Sequence, residues 1–209
     1  MAIVWPCSNP VEAYASAGRD VEVPVGACPS CERQLARWSG YWRFVRVGGR
    51  CMRIFVRRGR CGSCATTQAL LPAFCVRNRL DTTETIGVAL EAIADGGGVR
   101  PVASTAGVPH TTARGWVRRF SASAVGLATG FGGLAVDLGG APLVPLGDTA
   151  RWAVAAIGAA WRQAMGLPGW LAVGRWRFAS SVCGGSLLAA NTNSPWFVIG
   201  RRRYMPPVP

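Results

Sequence analysis

Two Cys-x-x-Cys pairs, Cys28-Pro-Ser-Cys31 and Cys61-Gly-Ser-Cys64, stand 29 residues apart. A turn of this spacing places two thiolates on one ion. A second such turn completes the four-coordinate tetrahedral shell that zinc prefers. Proline, glycine and serine suit the tight knuckles. The gap exceeds the ~15–20 residues of compact four-cysteine sites, but a two-stranded hairpin would fill it. A redox dithiol would need a strand-helix-strand surround, which neither pair has. The expected cofactor is therefore one structural Zn2+ per chain, held by Cys28, Cys31, Cys61 and Cys64. Cys51 and Cys75 lack a nearby cysteine partner and read as small apolar fillers, with a ligand role as the alternative. Cys7 and Cys183 read as isolated thiols.

Charge is the second chemical signal. Among 209 residues all 23 basic side chains are arginine, against 10 acids, for a net charge of +13. Codon usage in a GC-rich genome accounts for arginine replacing lysine. It does not account for the excess or its position. Residues 28–79 hold eleven arginines and one acid, whereas residues 80–120 are neutral, residues 1–27 carry −2 and residues 121–209 carry +5. A four-thiolate zinc site subtracts two charges and leaves the cysteine segment strongly positive. A polyanion is the partner such a field attracts. The candidate phosphate contacts are Arg43, Arg46, Arg53, Arg57 and Arg58.

Strands over residues 41–47 and 51–58 are expected around a Gly48-Gly49 turn. Met52, Ile54 and Val56 alternate with Arg53, Phe55 and Arg57, which implies one apolar and one arginine-rich face. Asp81-Thr-Thr-Glu84 resembles a capping box, with Asp81 as N-cap. Ile86, Leu90, Ile93 and Ala94 follow a helical period that stops at Gly96-Gly97-Gly98. A second helix is expected near Pro101, a left-handed turn at Gly107, and a third helix over residues 111–120. Val102, Ala103, Ala106, Val108, Trp116, Val117 and Phe120 are its expected buried side chains. This spacing predicts a helix-turn-helix. Thr111, Thr112, Arg114, Arg118 and Arg119 would then lie on the exposed side of the third helix, placed for bases and phosphates in a major groove. A plain three-helix unit with a solvated basic face is the competing reading. His110, the sole histidine, reads as a helix-start neighbour rather than a ligand.

Residues 121–146 have no clear assignment from their Gly, Ala and Leu content. Asp148 is a cap candidate for a helix with Val154, Ile157, Trp161 and Met165 on one face. Residues 170–183 are expected to be helical and the Arg201-Arg202-Arg203 tail frayed. The expected fold class is α+β: a small four-cysteine zinc-ribbon β-hairpin, a three-helix helix-turn-helix domain and a mostly helical C-terminal region. The expected divisions are 1–27 as an irregular leader, 28–79 as the ribbon, 80–120 as the helix-turn-helix and 121–209 as the apolar C-terminal region with a basic tail. No secretory signal and no apolar run of spanning length is seen. The expected location is cytoplasmic, associated with the nucleoid.

The segment from Cys28 through Arg37-Trp-Ser-Gly-Tyr-Trp-Arg43, Cys61-Gly-Ser-Cys64 and Ala69-Leu-Leu-Pro72 resembles the zinc ribbon that precedes the helix-turn-helix of insertion-sequence transposases. With Val102-Ala-Ser-Thr-Ala-Gly-Val-Pro109 and Gly115-Trp-Val-Arg-Arg-Phe120 it resembles, more specifically, an uncharacterised zinc-ribbon plus helix-turn-helix protein family of high-GC bacteria, often associated with mobile elements. The resemblance covers residues 28–120. It implies DNA binding with the four cysteines as zinc ligands. Many such ribbons carry histidine where Gln68 stands.

Transposases of that type add a nuclease domain with three carboxylates on two metal ions. After Asp95 only Asp137 and Asp148 remain, and 89 residues are too few for that domain. A non-catalytic DNA-binding protein is expected, either a transcriptional regulator or a mobile-element accessory factor. Its expected partners are double-stranded DNA, a transposase or recombinase, and a second copy through the C-terminal helices, with no membrane. The alternatives are a protein-interaction adaptor and an RNA-binding ribbon whose Trp42, Phe44 and Phe55 stack bases.

Overall fold

The computed structural model describes residues 2–188. Among them are four strands and six α-helices, so the chain is α+β. The strands are β1 (Ala2–Trp5), β2 (Leu35–Val47), β3 (Arg50–Cys61) and β4 (Thr67–Pro72). The helices are α1 (Val11–Ala17), α2 (Thr83–Ala94), α3 (Val99–Thr105), α4 (His110–Asp137), α5 (Thr149–Ala164) and α6 (Arg175–Val182). The strand order is β1-β4-β3-β2, with β1 and β4 parallel and the other pairs antiparallel.

The hairpin lies where period-two alternation placed it, but both strands run past the expected ends into the cysteine knuckles. Val45, Ile54 and Val56 enter the core while Arg53 is exposed. Phe55 breaks the simple two-face picture because it is buried on the arginine side. Its ring lies over Gly40, where a Cβ would come within 2.3 Å of it. The ring stands edge-on to Trp42, with centroids 5.2 Å apart. The Arg57 and Arg19 guanidiniums flank it at 5.4 and 5.5 Å.

Residues 1–27 are not an irregular leader. Ala2–Trp5 pair with β4, Ala2 opposite Ala69 and Trp5 opposite Pro72. α1 follows, then a 3-10 turn at Gly18–Asp20. β3 pairs with β4 only from Arg57 onward. Beyond that point the buried Tyr14 hydroxyl of α1 donates to the Phe55 carbonyl at 3.1 Å. One apolar core therefore gathers Ile3, Val4, Tyr14, Ile54, Val56, Leu70 and Phe74.

The second core joins all helices after α1, among them α2 through Leu90, α4 through Trp116 and Phe131, and α5 through Ile157. The division expected at residue 120 falls inside α4, which continues 17 residues further to Asp137. Its buried side chains Phe120, Ala124, Leu127, Ala128, Phe131 and Ala135 keep one helical stripe throughout. On α5 the fully buried stripe is Ala153, Ala156, Ile157, Ala160 and Ala164, and Val154 and Trp161 are only half-buried. Alanine there lets α5 lie closely along α4. Asp148 does cap α5, accepting from the Arg151 amide at 2.9 Å. Residues 170–183 are helical only over Arg175–Val182. The Arg201–Arg203 tail lies outside the described residues.

The α2 cap also differs from expectation. Thr82, not Asp81, is the N-cap and accepts from the Thr85 amide at 3.4 Å. Asp81 turns back to the hairpin. Its two oxygens accept from Arg46 Nε at 2.6 Å and Nη2 at 3.1 Å.

Candidate metal centre and basic surface

The cysteine knuckles share one backbone design. In the first, the Cys28 amide donates to the Arg33 carbonyl at 2.7 Å, and Glu32 takes a positive φ of 62°. In the second, the Cys61 amide donates to the Thr66 carbonyl at 2.9 Å, and Ala65 takes a φ of 54°. Each amide thus closes on the residue five positions ahead, and each left-handed residue directly follows the second cysteine. Neither is glycine, so sequence gave no mark of them. Cys61 ends β3, and the hairpin register sets Leu35 opposite it, which brings the two knuckles together.

The four sulfurs lie within 4.8 Å of one another. Cys31 to Cys61 is 3.3 Å, Cys28 to Cys64 is 3.6 Å and Cys31 to Cys64 is 3.7 Å. Ligands about 2.3 Å from a central ion at tetrahedral angles are about 3.8 Å apart. The cluster therefore fits one tetrahedral ion. The Thr66 hydroxyl lies 3.1 Å from Cys64 Sγ and 3.5 Å from Cys28 Sγ. Its hydrogen bond is the leading cause that brings the Cys28 thiol down to about 6. The Cys61 thiol is also lowered, first by the Cys64 amide. These two shifts favour the thiolate that a metal requires, whereas the Cys31 thiol is raised to about 12, the Arg33 amide being outweighed by the hydrogen bonds to Cys61 and Cys64 and by burial. Cys75, Cys7 and Cys183 are buried, and desolvation raises all three thiols. Cys51 is not a filler: it is exposed on the hairpin, outside the cluster.

β2 and β3 together carry eight arginines and no acid. The predicted contact residues fare differently. Arg46 is held by Asp81, which is 4% exposed. Arg43 Nη2 donates to the Arg79 carbonyl at 2.5 Å, Arg57 bonds the Arg19 carbonyl, and Arg58 Nη2 donates to Thr67 Oγ1 at 3.1 Å. Arg43 and Arg46 thus tie the hairpin to the segment before α2 and are poor candidates for contacts with a partner. Arg53 is exposed, 4.7 Å from the Trp42 ring centroid. Phe44 and Trp38 are each 58% exposed, and Arg60 stands 4.5 Å over the Trp38 ring.

On α4, Thr111, Arg114 and Arg118 are exposed, while Thr112 and Arg119 are half-buried. Arg119 folds back along the helix, donating from Nη1 to the Gly115 carbonyl at 3.0 Å. Trp116, Phe120 and Ala113 face the core. Arg79, missed in the sequence reading, lines a cleft with Thr111, Thr112 and Arg119. The neutral total for residues 80–120 conceals this neighbour one residue outside the segment. Among the described residues no helix is long and apolar enough to cross a membrane.

No protein-family model, curated protein or solved structure matches the chain.

Proposed function

We propose that this protein is a zinc-dependent, non-catalytic double-stranded DNA-binding protein. It would act as a transcriptional regulator or a mobile-element accessory factor, associated with the nucleoid. One observation carries the reading. The first turns of α4 present Thr111, Arg114 and Arg118 to solvent beside a hairpin rich in arginine and free of acid. α2, α3 and α4 pack in succession, and the link before α4 passes through Gly107 at a φ of 64°. This order supports reading the three as a helix-turn-helix whose last helix would enter a major groove. Arg53, with Arg57 and Arg58 partly exposed, would contact phosphates.

Zinc fits the four-thiolate set by ligand type and spacing, and serves as a staple for a sheet with a small core. The carboxylates are dispersed, which supports a non-catalytic reading. Glu84 and Glu91 pair with Arg177 and Arg175, Asp81 pairs with Arg46, and Asp148 caps α5. A transposase, a recombinase or a second copy would be partners on the helical side.

A second reading has its own observation. The exposed Phe44 and Trp38, flanked by Arg53 and Arg60, suit stacking on unpaired bases of RNA. Fluorescence anisotropy of the zinc-loaded chain against duplex DNA and single-stranded RNA across salt concentrations decides between them. Duplex binding with log Kd rising steeply with log salt is the expected result. Preference for the single strand that is lost in Phe44→Ala would select the second reading. Binding to neither would remove both.

A further inference from the structure

A cleft of about 320 Å3 opens where the hairpin, the segment before α2 and the first turns of α4 meet. Three arginines line it, each from a different element: Arg46 from β2, Arg79 from the segment before α2, and Arg119 from α4. The cleft wall contains one carboxylate, Asp81, and both of its oxygens are occupied by Arg46. The two remaining arginines therefore share a half-buried space with no free acid lining it. Burial first, and then the charge of Arg119, lowers the Arg79 pKa.

The arrangement is built by sequence. A Cβ on Gly115 would lie 2.9 Å from Arg119 Nη1, so glycine at this position leaves room for the guanidinium to fold along the helix. Thr111 and Thr112 add hydroxyl donors from the first turn of a 28-residue helix. Arginine forks match tetrahedral oxyanions in geometry and charge. Thr111, Gly115 and Arg119 are spaced four apart on α4, so the cleft borders the ridge bearing Arg114 and Arg118.

We propose that the cleft between Arg79 and Arg119 binds a phosphate group. This deepens the DNA-binding reading by assigning a backbone phosphate to a specific place beside α4. The same chemistry would also accept a free phosphate-bearing small molecule, for which the volume leaves space. Arg79 engages Arg43 only through its backbone carbonyl, so replacing its side chain leaves that bond intact.

The zinc-loaded full-length protein is titrated with inorganic phosphate by calorimetry, as wild type, Arg79→Ala, Arg119→Ala and, as a control exposed on α5 away from the cleft, Arg151→Ala. Zinc content and circular dichroism check folding, and Arg79→Lys serves as a second variant that keeps the charge. Saturable binding is expected, weakened about tenfold or more in Arg79→Ala and Arg119→Ala, retained in Arg151→Ala and partly restored in Arg79→Lys. Absence of saturable binding, or equal binding by all variants, overturns the proposal. A second arm uses a duplex scanned with single uncharged methylphosphonate linkages. If the source is DNA, neutralising one linkage weakens wild type, and Arg79→Ala adds no further loss at that linkage. If the source is a small molecule, duplex affinity ignores Arg79 while phosphate binding still depends on it. Arg79-dependent phosphate binding in a protein that binds no duplex upholds the cleft and removes the DNA reading.

Discussion

Gly107, in the link between α3 and α4, lies directly against Gly49 of the hairpin turn: a Cβ on Gly107 would stand 3.2 Å from the Gly49 nitrogen. Both residues have positive φ, 64° and 83°. The tip of the cysteine-held hairpin thus rests on the turn that sets the direction of α4. The Arg46 amide donates to the Leu80 carbonyl at 2.8 Å, and the Thr82 amide donates to the Arg46 carbonyl at 3.2 Å, extending the same contact. The two apolar cores are coupled at this seam.

Gly107→Ala is expected to destabilise the fold by about 1–2 kcal/mol, from left-handed strain alone. The approach to Gly49 adds to that cost. Gly48, whose Cβ would meet nothing within 4 Å but whose φ is 51°, separates the two effects: Gly48→Ala should cost the strain only. Urea midpoints of the two variants, compared at constant m value, measure the difference. Equal midpoints would show that the contact contributes nothing.

Arg46 and Asp81 form the polar half of the seam. Asp81→Asn keeps the shape but removes the charge that faces Arg46, with an expected cost of about 1.5–3 kcal/mol. In a double-mutant cycle with Arg46→Gln the two losses should be strongly non-additive. Additive losses would mean that the pair is not coupled. The variant should also affect α2, because Thr82, its N-cap, directly follows Asp81.

Much of this was legible in the residues. The thiolate set follows from ligand type and spacing, and the hairpin from alternation around Gly48-Gly49. What escaped depended on distant partners or on misleading composition. Ala2–Trp5 carry no alternation because all four are buried, and their partner strand lies more than sixty residues away. The second half of α4 is rich in glycine, which lowers helix propensity. Yet Ala124, Leu127, Ala128, Phe131 and Ala135 already had the helical spacing. Arg46 looked like a free cation, since nothing local marks Asp81, 35 residues away, as its partner.

Thr66 gives the metal centre a test beyond removal of its ligands. Cys31→Ser or Cys61→Ser should abolish zinc retention, whereas Cys51→Ser should leave it unchanged. Thr66→Val removes only the hydroxyl that lowers the Cys28 thiol to about 6. Supporting groups of this kind typically alter metal affinity about ten- to a hundredfold. In wild type, protons compete at Cys28 as pH falls through about 6. Without the hydroxyl, that competition should begin at higher pH. Chelator titrations between pH 5 and 8 read both effects, and a profile unchanged in Thr66→Val would show that the hydroxyl has no part in metal retention.

The nucleic-acid reading makes a paired prediction about two arginines in different roles. Arg53 is exposed on the hairpin, where it can neutralise a phosphate whatever the sequence. Arg53→Ala should weaken binding to every duplex alike and reduce the salt slope by about one phosphate. Arg114 lies in the second turn of α4, exposed beside Thr111, where a recognition helix contacts base edges. Arg114→Ala should cost about 1–3 kcal/mol on the preferred sequence and little on a scrambled one. Anisotropy titrations with both duplexes at three salt concentrations measure the two effects together. If Arg114→Ala weakens both duplexes equally, α4 contacts only backbone and the sequence is read elsewhere.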